Sequence, residues 1–286
     1  MRLVPLLLLR LLLCAGLAQA AVEVRDDYGH AVSLGAPARR IVSLAPHLTE
    51  LLYAAGAGAQ VVGALEHSDY PPEARSVPRV GSEAGIDLEA LIALRPDLVV
   101  AWPNAGSVRT VNRLAQIGLP VFRSEPRELA DIARTLERFG VLAGTAERAN
   151  QAADAFRKRA RALEARYSER PKMRVFYQVW DRPLVTVNGD HVISKVMRMC
   201  GGENVFAALP LIAPQIDREA VVSANPQVII SSGASLEGWK AFSGLAAVKN
   251  AHLYAIPPDL IQRHTPRLLD GAERLCRLLE QARARS

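Results

Sequence analysis

Short runs of consecutive apolar residues, many of them β-branched, alternate along the chain with stretches whose apolar positions recur every three or four residues. Residues 41–44, 61–65, 98–101 and 121–123 have the first pattern and predict buried strands. Residues 48–55, 88–94 and 108–117 have the second and predict helices between them. That alternation implies a parallel sheet covered by helices. Pro96 and Pro120 stand just before strands, where proline ends the preceding helix. From about residue 128 to 167 strand signals vanish. Leu129, Ile132, Leu136 and Phe139 fall on helical spacing, Gly140 and Gly144 punctuate, and Thr145 is placed to cap a long helix over 146–167, Ala-rich on one side and charged on the other. Strand patterns then resume at 174–179, 184–187, 228–232 and 253–256, and an amphipathic helix over 268–284 ends the chain.

The expected fold class is therefore α/β, with two parallel-sheet lobes joined by one long α-helix. The lobes are expected over 21–141 and 171–286, with the connecting helix over 142–170. A helix is a stiff connector, so limited relative motion is expected, and the cleft between lobes is the default ligand site.

Two segments 130 positions apart repeat one plan. Asp87 to Val100 reads DLEALIALRPDLVV, and Asp217 to Ile230 reads DREAVVSANPQVII. Asp87 and Asp217 are placed as helix N-caps, and Glu89 and Glu219 fall in the first turn. There the helix dipole favours a carboxylate by roughly 0.3–1 kcal/mol. Local physics accounts for acids at these places. Their recurrence in both lobes also suits a partner that reads both glutamates through two similar sites.

Composition adds compartment and narrows the partner. The first twenty residues, basic and leucine-rich and ending in Ala-Gln-Ala, predict a secretory signal peptide cleaved after Ala20, although Arg10 interrupts its apolar core. Cys14 raises a lipoprotein alternative, with Leu13 larger than a lipidation motif favours. The formal net charge is +6, and removing the signal with Arg2 and Arg10 leaves +4. So mild and interspersed a positive charge argues against nucleic acid as partner. No later run is long and apolar enough to span a bilayer. Without Cys14, Cys200 and Cys276 remain. In an oxidising compartment an even pair reads as a disulfide, the alternative being two buried thiols.

Catalytic motifs are missing. Gly56-Ala-Gly58 lacks the third glycine of a dinucleotide fingerprint and follows a helix rather than a strand, so it reads as a helix stop. No phosphate-binding G-x-x-x-x-G-K-[ST] loop, G-x-S-x-G elbow, H-E-x-x-H or C-x-x-C occurs. Ser43, His47 and Asp69 are the only loose candidates for a nucleophile and base, and the six histidines show no metal-ligand spacing. His47 and His67 each follow a predicted strand, at the carboxyl end where α/β folds bind ligands. Trp102 follows the strand 98–101, and Trp180 follows the strand 174–179 in the comparable place of the second lobe. Both are suited to packing on a flat ligand.

Arg40-Ile-Val-Ser-Leu-Ala-Pro-His-Leu-Thr-Glu-Leu, Ser68-Asp-Tyr-Pro-Pro, the Asp87 to Trp102 segment and Cys200-Gly-Gly-Glu-Asn-Val-Phe206 resemble the periplasmic cobalamin-binding proteins of bacterial ABC importers, over about residues 40–279. The resemblance implies a monomeric binding protein without a cofactor or resident metal, not an enzyme. It would hold cobalamin or a related corrinoid between two lobes that close little, and pass it to an inner-membrane ABC permease dimer. It implies a Cys200–Cys276 bridge, and Glu89 and Glu219 entering basic pockets on the two permease subunits. Trp102, Asp259 and Arg263 match family ligand-contact positions. Elsewhere the pocket departs: His67 stands for a Tyr, Glu83 for a Trp, Val185 for a Phe, Ala213 and Leu260 for Trp, and Gln262 for a Glu, with Trp180 as a compensating gain. The expected ligand-binding set is His67, Glu83, Trp102, Trp180, Asp259 and Arg263, and His67 has the chemistry of an axial ligand to a chelated metal. Haem or a ferric siderophore is the alternative cargo on the same scaffold.

Overall fold

The computed structural model describes residues 21–82, 84–103 and 107–285. The expected signal segment with Cys14, and Glu83, lie outside these described residues. Two four-stranded sheets form, and every strand pairing in them is parallel. The first runs in the order Val61–Ala64, Ile41–Leu44, Leu98–Ala101, Val121–Arg123. The second runs Gly202–Asn204, Met173–Gln178, Val228–Ser231, Leu253–Ala255. Numbered along the chain within each lobe, both orders are 2-1-3-4, so the repeat in sequence is a repeat in topology.

The strands Ile41–Leu44, Leu98–Ala101 and Val228–Ser231 are buried on both faces, which is why they read as near-continuous apolar runs. Their alternate residues feed separate cores. In the first lobe, Ile41, Leu98, Val100 and Phe122 face one core, while Val42, Leu44, Val99 and Ala101 face another. In the second lobe, Val175, Tyr177, Val228 and Ile230 join the same large core as the first group, and Phe176 and Ile229 pack on Trp239. That shared core is continuous through the long helix Ala146–Tyr167, which buries Ala149, Ala153, Phe156, Leu163 and Tyr167 in it.

Several expectations need correction. Residues 184–187 do not extend the parallel sheet. Leu184–Val185 pairs antiparallel with Trp180–Asp181 as a hairpin, because the two residues between them cannot make the crossover that parallel pairing needs. The edge strand Gly202–Asn204 carries no β-branched residue and gives no strand signal in sequence. A hairpin of Val22–Arg25 and Ala31–Leu34 precedes the first sheet and also went unpredicted. Gly140 does not break its helix: it lies inside Leu129–Ala143, where an added Cβ would stand 2.3 Å from the Cβ of Ala149. It is there so that two helices can approach. Gly144 does end that helix, at φ 69°. Thr145 does not cap the next one; its hydroxyl donates to the carbonyl of Ala55 at 2.7 Å.

Ion pairs also tie the lobes besides the shared core, among them Lys195 with Glu128 at 2.9 Å. Glu50, on the helix Pro46–Ala54 of the first lobe, is only 2 % exposed. Arg267 of the second lobe donates to both its carboxylate oxygens at 2.8 and 2.6 Å, and Thr265 donates at 2.5 Å. Arg263 donates to Asp69 at 2.9 Å. Within the second lobe, Cys200, just after the helix Val192–Met199, is bonded to Cys276 on the helix Leu268–Arg283.

Arg267→Ala should destabilise the protein by about 3–5 kcal/mol, because it strands a buried carboxylate. Urea unfolding at neutral pH checks this. Thiol counting under denaturing, non-reducing conditions should find Cys200 and Cys276 unavailable. Replacing both by Ser should lower stability by about 2–4 kcal/mol, since the bridge closes a long loop of the unfolded chain.

Candidate functional site: a cleft between the lobes

Parallel strands all point their carboxyl ends the same way, and the loops leaving those ends build the cleft. It encloses ≈ 500 Å³. The first lobe contributes His47 after its first strand, His67 after its second, Trp102 after its third, and Ser82 and Ile86 from the hairpin of Gly81–Ser82 with Gly85–Ile86. The second lobe contributes Val179 and Trp180 after its first strand, His191 and Ile193 at a helix start, Ala213, and Asp259, Gln262 and Arg263 on and after the short helix Pro258–Ile261.

The tryptophans divide by role. Trp239 is fully buried and donates to Gln178. Trp102 and Trp180 are 40 % and 63 % exposed and line the cleft from opposite lobes. Leaving two large aromatic faces in water costs free energy unless something covers them. Trp102 is braced edge-on by His47, with ring centroids 5.6 Å apart. Trp180 stands on the hairpin opposite Val185, which itself does not line the cleft, nor does Leu260.

Arg263 organises one side of the site. Besides Asp69 it pairs with Asp259 at 3.0 Å, and it donates to the carbonyl of His67 at 3.2 Å. That last bond pins a residue in the left-handed region, His67 at φ 63°. Burial opposes ionisation of Asp69, but the hydrogen bond and charge of Arg263 outweigh it and hold the carboxyl below its ordinary value. The guanidinium is thus engaged by protein carboxylates from both lobes. Gln262 donates to the hydroxyl of Ser232 at 2.5 Å.

Three imidazoles meet where the lobes join. His264 lies 6.4 Å from His47 and 5.9 Å from His191, ring centroid to centroid. Burial pushes the pKa of His47 down to about 4, helped by the charge of Arg263. Burial does the same for His191, to about 4, and for His264, to about 3, where the other two imidazoles add to the effect. His191 caps a helix by accepting from the backbone N–H of Ile193 at 3.1 Å through Nδ1, which fits its neutral form. Among the described residues, no group of three or more His, Cys, Asp or Glu could hold a metal ion. Of these three, sequence reasoning singled out only His47. His191 and His264 carry no local signal, since folding alone brings them together.

The loose nucleophile candidates do not form a relay. Ser43 is fully buried, donates to the carbonyl of Ala45 and accepts from Thr49, and Asp69 is committed to Arg263. A largely apolar cleft between two like lobes, with aromatic faces exposed from both, is the architecture of a two-lobed ligand-binding protein. Residues 41–260 match the periplasmic binding protein family, and the chain belongs to it. It is 38% identical over 253 residues to the vitamin B12-binding protein of Vibrio parahaemolyticus, covering 86% of this chain and 91% of that protein. It is 37% identical over 239 residues to the one of Yersinia pestis, covering 84% and 85%. The crystal structure of the periplasmic vitamin B12 binding protein of Vibrio cholerae superposes with a TM-score of 0.80 at 37% identity, over 86% of this chain and 98% of that one. A periplasmic haem-binding protein from Roseiflexus shares the fold at a TM-score of 0.72 and 21% identity, over 85% and 98%.

The three half-buried histidines set an acid limit on stability. Between about pH 6.5 and 4 the unfolded chain takes up protons at these positions and the folded protein does not. Stability should therefore fall as pH drops through that window, with this contribution fully lost near the folded pKa values. Melting temperatures at pH 7, 5.5 and 4.5 check the trend, and His264→Gln should flatten it.

Proposed function

We propose that this protein captures cobalamin or a related corrinoid in the periplasm and delivers it to an inner-membrane ABC permease dimer. The observation that carries the reading is the chain-long similarity to vitamin B12-binding proteins, 38% identity over 86% of the chain, against 20–22% for the haem-binding structures of the same fold. The chemistry of the cleft agrees. A corrinoid is broad, flat and amphipathic, and Trp102 and Trp180 offer aromatic faces to it from both lobes. Asp259 and His67, steadied by Arg263, supply polar contacts at its edge, and Glu83 is proposed as a further ligand contact. Haem is the second reading, favoured by the imidazoles of His47 and His67 in the cleft.

In this proposal residues 1–20 direct export and are removed, and the exported protein acts as a monomer. The segment 142–170 is its stiff spine. Glu89 and Glu219 are both exposed, each on the first turn of its helix, and they carry docking by entering basic sites on the two permease subunits. A two-fold permease offers two like contacts, and the repeat answers with two like helices.

Calorimetric titration with cobalamin, cobinamide and haem should give micromolar or tighter binding for the corrinoids. Trp102→Ala and Trp180→Ala should each weaken it by roughly tenfold or more. No heat and no fluorescence quench with either corrinoid removes the assignment. Combined Glu89→Ala and Glu219→Ala should abolish uptake while leaving corrinoid affinity unchanged.

A further inference from the structure

The repeated segments match in more than sequence. Across all fourteen positions, Asp87 to Val100 and Asp217 to Ile230 show the same succession of exposed, half-buried and buried residues. Both begin with an Asp that caps the helix, accepting from Ala90 N–H at 2.9 Å and from Ala220 N–H at 2.7 Å. Both end with a left-handed residue, Arg95 at φ 46° and Asn225 at φ 42°. One consequence is that Ile92 and Val222 occupy equivalent places and are 49 % and 39 % exposed, whereas the preceding Leu91 and Val221 are fully buried.

Ile92 and Val222 stand three residues after Glu89 and Glu219. On a helix that spacing puts the two side chains side by side. Each lobe therefore presents one carboxylate next to one aliphatic side chain. Neither glutamate has an ion-pair partner among the described residues. Alanine or serine at these exposed positions would satisfy the helix equally well, so helix formation does not account for Ile92 or Val222. A single exposed aliphatic residue is unremarkable, but a β-branched aliphatic residue at the same place in both lobes is not a scatter of surface residues.

We infer that Ile92 and Val222 form, with Glu89 and Glu219, a two-point docking surface whose aliphatic part is buried against a two-fold symmetric membrane permease presenting, twice, a cation beside an apolar patch. This rests on the docking reading above and adds the part of the contact that salt does not screen. The glutamates steer encounter and fix register over a Debye length that shrinks with salt. Burial of the aliphatic pair holds the complex once formed, and it is insensitive to salt screening.

The test measures binding of the cobalamin-loaded protein to its cognate permease in lipid nanodiscs, at about 0.1 and 0.5 M salt, between which the screening length falls about twofold. Ile92→Ser with Val222→Ser should weaken the complex by roughly tenfold or more at both salt concentrations. Each single substitution should cost about the square root of that factor, since the two sites are independent. Ile92→Leu with Val222→Leu should restore affinity. Glu89→Ala with Glu219→Ala should weaken the complex strongly at low salt and much less at high salt. Cobalamin affinity should be unchanged in every variant, which also shows that each is folded. If the glutamate variant weakens the complex and the aliphatic variant does not, the inference is overturned and the docking reading survives. If neither does, both fall. Self-association without permease, lost on substitution of Ile92 and Val222, would assign the surface to a second copy and overturn the inference too.

Discussion

The continuous apolar core around the helix Ala146–Tyr167 is the constraint on which the rest depends. Its 22 residues span about 33 Å, and its buried side contacts material from both lobes. Ala149 lies against Gly140 near one end, while Leu163 and Tyr167 share a core with Met173 and Val175 near the other. A hinge would have to open this core. Independent lobes would each have to expose part of it, at roughly 25 cal/mol per Å² of apolar area. The same constraint explains the ionic links. A buried charge pair is poor evidence of stability in itself. Glu50 and Arg267 make sense as a register device, because a carboxylate of one lobe is satisfied only when the other lobe is correctly placed.

A cleft held open by such a frame is preorganised, and preorganisation fits capture of a large rigid ligand. Closing around a flexible solute needs lobe motion, whereas a flat chelate can enter a slot of fixed width. The polar residues of the slot are already committed to one another: Arg263 to Asp69 and Asp259, and Gln262 to Ser232. Trp102, Trp180 and aliphatic side chains give the slot a largely apolar lining, chemistry suited to an amphipathic macrocycle rather than a small anion. Rigidity also suits the proposed docking role, since the exposed faces around Glu89 and Glu219 keep a fixed separation only if the lobes do.

Much of this was legible beforehand. The strand 98–101 lies where its apolar run places it, because a strand buried on both faces needs near-continuous apolar sequence. The repeat was legible because two lobes on one plan reuse one pattern of capping acid, buried aliphatic and proline. Residues 184–187 misled, because a hairpin arm and a sheet strand share the same local pattern and only the partner differs. The strand Gly202–Asn204 was silent because an edge strand can borrow its hydrogen bonds from a neighbour without β-branched side chains of its own. Gly140 was misjudged because a glycine that permits helix approach looks, in one dimension, like a glycine that ends a helix.

By itself the sequence determined most of the buried strands, the long helix and the duplicated segments with their capping Asp87 and Asp217, since hydrophobic periodicity and capping act over a few residues. Only the tertiary structure decided the site. His47, His191 and His264 come from three distant stretches, and Arg263 finds Asp69 across 194 positions of chain. Their partial desolvation, and with it the lowered pKa of the imidazoles, exists only once two lobes enclose them. Local pattern specifies backbone conformation; the desolvation and charge that give a cleft its chemistry come from long-range packing.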